Sequence, residues 1–386
     1  MDGGVEPGFV CYGVPIGSER YVRLKLEEKV SMIEKNARKA ADLLEGERQS
    51  LWTVLRASIK YQFEYWLALC YPSDVIEAAR RMDRLLLEVV ERVIGQPIPQ
   101  VRSEGRSQTQ EDPAGEGRQG ETGSDVNLGI PVDSLCNRSL QRWLMEIPVR
   151  QGGMGVESQE DLIIAAFVGG LEQALPYFGG EDGICPALGQ LVDVGYADRY
   201  RPLLQTGNRT GKELDMCWGR MRNEVEQSYV FLGEEETPGV LSAVAATAGQ
   251  GSTSSGLRKQ IMREIQELRF RVLNKAVGEH PRQDDRGISS WKERDKLTSA
   301  FLLSMPGPVS GMNSLTFAEA CATYLCLPSR VCADRVGEKV GKSRVDAHGE
   351  RIVSENPPGG HWQERHNAMA QEIAALCVYA GVPVER

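Results

Sequence analysis

The chain has 386 residues, 41% hydrophobic and 26% charged, with a formal net charge of −9. Those proportions exclude a wholly disordered chain and a coiled-coil rod, and at roughly 100 to 200 residues per domain the length predicts two or three domains. The negative balance also argues against a chain built throughout as a polyanion binder, since released counterions reward concentrated positive charge.

The first predicted element is a helix after Ser18, whose hydroxyl suits an N-cap. Val22, Leu26, Val30, Ile33, Ala37, Ala40 and Leu44 then recur at steps of three and four. A second helix is predicted from about Arg48 to Tyr71, with Leu51, Leu55, Ile59, Gln62, Trp66 and Leu69 on one face. Trp52, Phe63 and Tyr65 add bulk, and Pro72 stops it. A third opens at Ser73, expected to accept hydrogen bonds from the first free amides, and carries Val75, Ala79, Met82, Leu86, Val89, Val90 and Val93 to Gly95. Residues 1–97 are therefore expected to form a helical bundle. Residues 98–127 have almost no apolar side chains and read as a disordered linker.

Beyond it, Ser139–Trp143 predicts a short helix, Ile147–Val156 a turn-rich stretch, and Gln159–Leu175 a largely buried helix. Residues 176–212 read as irregular, Glu213–Tyr229 as amphipathic and Ala243–Gly256 as a flexible loop. Leu257–Val277 carries Ile261, Ile265, Leu268, Val272 and Ala276 on one helical face. Further helices are predicted over Ser290–Leu303, Ser314–Leu325 and His361–Ala380. Few segments alternate with period two and no repeat is present, so the fold class is mainly α: a helical bundle over 1–97, a helical connector with irregular loops over 128–256 and a C-terminal helical region over 257–386.

Lys and Arg number 14 against 15 acids in residues 1–97, 9 against 17 in 128–256 and 19 against 16 in 257–386. Any polyanion contact belongs to the two ends; most of these charges read as ordinary solvated faces. No apolar run approaches the roughly 18 residues of a membrane span. Met1–Pro7 carries glycines and acids in place of a signal peptide, and nine scattered cysteines predict reduced thiols. The expectation is an intracellular protein of the nucleus or cytoplasm that contacts no membrane.

Motifs of chemistry are incomplete. Residues 249–256, "GQGSTSSG", have phosphate-loop glycine spacing, but Leu257 stands where a Lys must reach the phosphates. Tyr196, Ala197 and Asp198 follow the order of a polymerase metal turn, yet Arg199 replaces the second carboxylate that two-metal chemistry needs. Cys321, Cys326, Cys332, His361 and His366 lack common zinc-finger spacing and read as inert thiols and isolated imidazoles. No catalytic residue, metal or cofactor is predicted.

Tyr12–Val30, "YGVPIGSERYVRLKLEEKV", resembles the segment after the palm of non-LTR retrotransposon reverse transcriptases, where an "LGVPIG" element leads into the helical thumb. Ile147–Gly170 is similar to that family's downstream "GGLGL" block, and "RDKLTSAFLLSMPG", "CATYLCLPSRVC" and "HWQERHNAMAQEIAALCVYAG" to its far C-terminal region. The palm aspartates would lie N-terminal to Val10, most zinc-knuckle ligands are replaced, and the chain ends about where an endonuclease would begin. The resemblance thus implies a catalytically inactive thumb and connector, truncated or degenerate. It further implies that Arg20, Lys25, Lys29, Arg38 and Lys39 grip the backbone of an RNA/DNA duplex weakly and without sequence preference. The alternative is a helical module that holds a protein partner on its apolar helix faces and binds no nucleic acid.

Overall fold

The computed structural model describes residues 7–99, 139–179, 209–233, 255–278, 299–307 and 311–349, with 367 and 371 singly. The described residues are mainly helical, as expected. The chain divides into two compact units, Met1–Ala318 and Glu319–Arg386.

The first unit opens with a hairpin of β1 (Gly8–Cys11) and β2 (Val14–Gly17), in which Phe9 faces Ile16 and Val10 faces Pro15. Tyr12 and Gly13 form its turn, both with positive φ (48° and 83°), the mirror-image geometry that two-residue hairpins require. Strands of four residues are too short to show a period in the sequence.

Helix α1 (Glu19–Leu43) starts as predicted, with Ser18 Oγ accepting from Tyr21 N at 3.2 Å. It buries Val22, Leu26, Val30, Ile33, Ala37 and Ala41. The predicted second helix is broken. Helix α2 (Arg48–Ala57) is followed by a 3₁₀ turn over Ile59–Tyr61 and by α3 (Glu64–Leu69). The break rotates the later face, so Trp52, Phe63 and Leu67 become fully buried while Leu69 is 48% exposed. Helix α4 (Pro72–Ile94) also departs from expectation. Tyr71 is its N-cap residue and makes no side-chain cap; Pro72 occupies the first turn, where its missing N–H costs nothing. Gly95 ends it in the left-handed conformation at φ 79°.

Helices α1 and α4 run parallel. Arg23 meets Asp74, Glu34 meets Arg81, Arg38 meets Glu88 and Asp42 meets Arg92, so partners advance together along both helices. Parallel neighbours need a long return, and α2 and α3 supply it. Ile98, the first residue of the predicted linker, is buried and donates its N–H to Glu91 at 2.9 Å; residues 100–127 of that segment lie outside the described residues.

Helix α5 (Leu140–Glu146) is capped by Ser139. The glycine-rich stretch after it folds back, with Met154 N and Val156 N donating to Leu144 O and Met145 O. A Cβ at Gly153 would collide with Ile147 O. Helix α6 (Gln159–Gly179) is buried on every side from Leu162 to Gly169 and packs against α3, α4 and α8 (Ser255–Gly278). A side chain at Gly170 would strike the Ala68 carbonyl, so glycine there lets α3 and α6 approach. Helix α7 (Arg209–Leu232) packs mainly on α8, whose predicted stripe Ile261, Ile265, Leu268, Val272 and Ala276 is buried. Helix α9 (Ala300–Leu303) and the start of α10 (Ser314–Tyr324) lie against α2: Trp52 Nε1 donates to Leu302 O at 2.8 Å and Gln49 Oε1 accepts from Met312 N at 2.8 Å. The predicted segments 1–97 and 128–256, and the segment 257–386 as far as Ala318, therefore fall in one compact unit, because α6 packs on α3 and α4 and α8 packs on α6 and α7.

In the second unit the end of α10 is followed by α11 (Arg330–Ala333) and a short hairpin, β3 (Lys339–Val340) with β4 (Ser343–Arg344). Ser329 caps α11 by accepting from Cys332 N and donates its own N–H to Ala347 O. The predicted helices over 290–298 and 361–380 fall outside the described residues, apart from the single residues 367 and 371.

Candidate nucleic-acid interface

Helix α1 carries seven cations: Arg20, Arg23, Lys25, Lys29, Lys35, Arg38 and Lys39. At 3.6 residues per turn, Arg20 and Arg38 share one azimuth, Lys39 lies about 100° from it, and Lys25 and Lys29 roughly 140–180° away. The five residues proposed as a grip thus do not share one face. Arg20 and Lys39 are exposed. Arg38 is turned onto α4, where Nε and Nη2 both donate to Glu88, and this hydrogen bond raises its pKa. Lys25 donates to Glu28 at 2.7 Å, which holds its ammonium above the usual range, and stands 5.9 Å from the Tyr21 ring. Lys29 stands 6.0 Å from the Trp66 ring of α3. What comes together is therefore Lys29 and the aromatic side of α3.

From the sequence, Leu69 is expected on the apolar face of this segment and Tyr65 as added bulk. Tyr61, Tyr65 and Leu69, spaced by four, are instead 50%, 53% and 48% exposed, while Phe63 and Leu67 between them are fully buried. Lys60 is held beneath, donating to Gly155 O at 3.1 Å and lying 4.6 Å from the Tyr61 ring. Beside Tyr65 opens a cleft of about 450 Å³ between α3, α6 and α8. Leu162, Ala166 and Met262 make it apolar; Arg258 and Lys259 of α8 supply cations, and Glu64 and Glu157 supply carboxylates. Arg258 pairs with Glu64 at 2.5 Å, and Glu157 accepts from Gln266 at 2.8 Å. Lys259 has no ion pair among the described residues. Sequence reasoning singles out none of Tyr61, Arg258 and Lys259 and takes Tyr65 only as bulk; the aromatic-rich run that follows Lys60, up to Trp66, is the available signal.

Two buried carboxylates do structural work nearby. Asp83 of α4 accepts from Ser158 Oγ at 2.7 Å, Gln159 N at 2.5 Å and Glu160 N at 3.2 Å, joining α4 to the start of α6. Burial pushes its pKa up to about 7 against the pull of Ser158 and Gln159. At the start of α4, Ser73 donates both its hydroxyl and its N–H to Glu213 of α7, so the predicted cap acts as donor to a distant carboxylate. Arg209 pairs there with Asp74 at 2.7 Å and stacks on Tyr71 at 4.4 Å.

Cys321 is fully buried and burial raises its pKa, in keeping with an inert thiol. Among the described residues no group of three or more His, Cys, Asp or Glu could hold a metal ion. His361, His366, residues 196–199 and 249–254 lie outside the described residues; Ser255 and Gly256 begin α8 and do not continue the predicted loop. No helix among the described residues is long and apolar enough to cross a membrane. Set against known protein families, characterised proteins and solved structures, the chain shows no match.

Proposed function

We propose that this protein is a catalytically inactive relative of the thumb and connector of retrotransposon reverse transcriptases that binds nucleic acid weakly and without sequence preference. The observation that carries the reading is Lys29 set against Trp66 beside the half-exposed Tyr61 and Tyr65, cations interleaved with aromatic surface. The pairing of Arg38 with Glu88 removes one cation from the grip and keeps the expected affinity low. The proposed setting is the nucleus or cytoplasm, where free thiols such as Cys70 and Cys217 remain reduced.

The test is titration of the full chain with an RNA/DNA duplex at several salt concentrations. Contact through Lys29 and one or two further cations gives a log-log slope of about −2 to −3 and affinity no tighter than micromolar. Substituting Lys25, Lys29 and Lys39 by Glu weakens binding, and Lys29→Glu accounts for most of the loss. Salt-insensitive binding, or none, refutes the reading.

A second reading, a protein-interaction module, is favoured by one observation. The hairpin exposes Phe9 (58%), Val10 (52%), Tyr12 (93%) and Ile16 (46%), a cluster of apolar side chains such as marks protein contacts.

A further inference from the structure

We infer that the cleft beside α3 receives one unpaired base of a single-stranded nucleic acid, stacked on Tyr65, with Lys259 on the adjoining phosphate. The inference rests on the nucleic-acid reading and narrows it from any polyanion to an unpaired strand. Base pairs in a duplex are stacked on one another and offer no free face to a tyrosine inside a cleft. An unpaired strand offers one at every nucleotide, and cations alternating with aromatic rings are the surface that binds it.

The geometry meets each requirement. A volume of about 450 Å³ falls within the roughly 300–1,000 Å³ of small-ligand sites. Tyr65 is half exposed at the wall, and Tyr61 one turn earlier offers a second platform outside. Lys259 is exposed and without an ion pair among the described residues, whereas Arg258 is held by Glu64.

The carboxylates decide which part of the nucleotide enters. Glu64 and Glu157 repel a phosphate, so the base goes in and the phosphate stays at Lys259. A carboxylate has about four acceptor positions, so Glu157 retains capacity after its bond from Gln266. It can accept from an N–H on the pairing edge of an unpaired base: the amino group of adenine, cytosine or guanine, or the N3–H of thymine or uracil. The site therefore admits any base.

The experiment is fluorescence anisotropy of the full chain with adenine, cytosine and thymine homopolymers of about twelve nucleotides, within the usual single-strand site size, and with a duplex of equal length. All three homopolymers are expected to bind, and more tightly than the duplex. Tyr65→Ala should weaken single-strand binding about 5- to 100-fold, the effect of removing one stacking platform. Tyr65→Phe, which keeps the ring, should restore it, and duplex affinity should not change. Lys259→Glu should weaken all strands. Thermal melting of each variant checks the fold. If the wild type binds duplex but Tyr65→Ala and Lys259→Glu leave single-strand affinity unchanged, this inference is overturned and the broader reading stands. If neither strand form binds, both fall.

Discussion

Asp83 offers the sharpest physical test of the fold. Its carboxylate is buried in α4 and accepts three hydrogen bonds from the start of α6, two of them from backbone N–H groups that have no helical partner of their own. Burial, with smaller contributions from Glu146 and Asp161, raises its pKa from an ordinary 3.8 to about 7, although Ser158 and Gln159 favour the charged form. A folded pKa above the unfolded one means that the native state binds more protons. The stability this group contributes is thus fully present below about pH 4 and is lost as pH rises through about 7. Three pKa units at 1.36 kcal/mol each bound the effect at about 4 kcal/mol. Asp83→Asn keeps the shape, cannot ionise and loses one acceptor, which costs about 1–3 kcal/mol in orphaned donors. Urea unfolding of both proteins at pH 5 and pH 8, followed by tryptophan fluorescence, isolates the group, since all other titrations cancel. The advantage of wild type over Asp83→Asn should shrink from pH 5 to pH 8. An advantage that grows with pH would mean that the three donors outweigh burial, and the argument from desolvation would be wrong.

Glu213→Ala strands the Ser73 N–H and removes the acceptor of its hydroxyl, so a loss of about 1–3 kcal/mol is expected in thermal or urea unfolding. Trp52→Ala empties a fully buried site and leaves Leu302 O with Arg56 Nη1 as its donor; a loss of about 3–5 kcal/mol is expected, and a Tm within one or two degrees of wild type would show that α2 and α9 do not pack as described. Arg38→Ala should cost under about 1 kcal/mol, because its pair with Glu88 is half exposed. Purified protein should extend no primer on an RNA template with magnesium or manganese; extension above a heat-killed control would overturn the inactive reading.

Much of the fold was legible where local rules and burial agree. Ser18 and Ser139 cap as their hydroxyls suggest, Gly95 ends α4, and the stripe of α8 is buried residue for residue. The reading failed over 48–71, where a nearly continuous apolar period concealed a break. No Pro or Gly marks Ser58–Phe63, and the contact made inside the break is long-range: Lys60 donates to Gly155 O, 95 residues away. The cap at Ser73 failed for the same reason, since Glu213 approaches from a helix 140 residues downstream.

The interface was less legible because the electrostatics of α1 are set across helices. Sequence spacing exposes pairs three or four apart, as with Lys25 and Glu28, but it is blind to the offset of about fifty residues that parallel packing imposes on Arg38 and Glu88 or Asp42 and Arg92. Those contacts hold α1 to α4 and draw charge from the side where a backbone grip would need it. Lys29 escapes because its neighbour is Trp66, an aromatic surface that attracts a cation without neutralising it. The same break in the helix that defeated the apolar period turned Tyr61, Tyr65 and Leu69 outward beside it. Cation and aromatic surface therefore meet at α3 as a consequence of how α2 and α3 return the chain between two parallel helices, and that geometry places the useful positive charge at the aromatic edge instead of along α1.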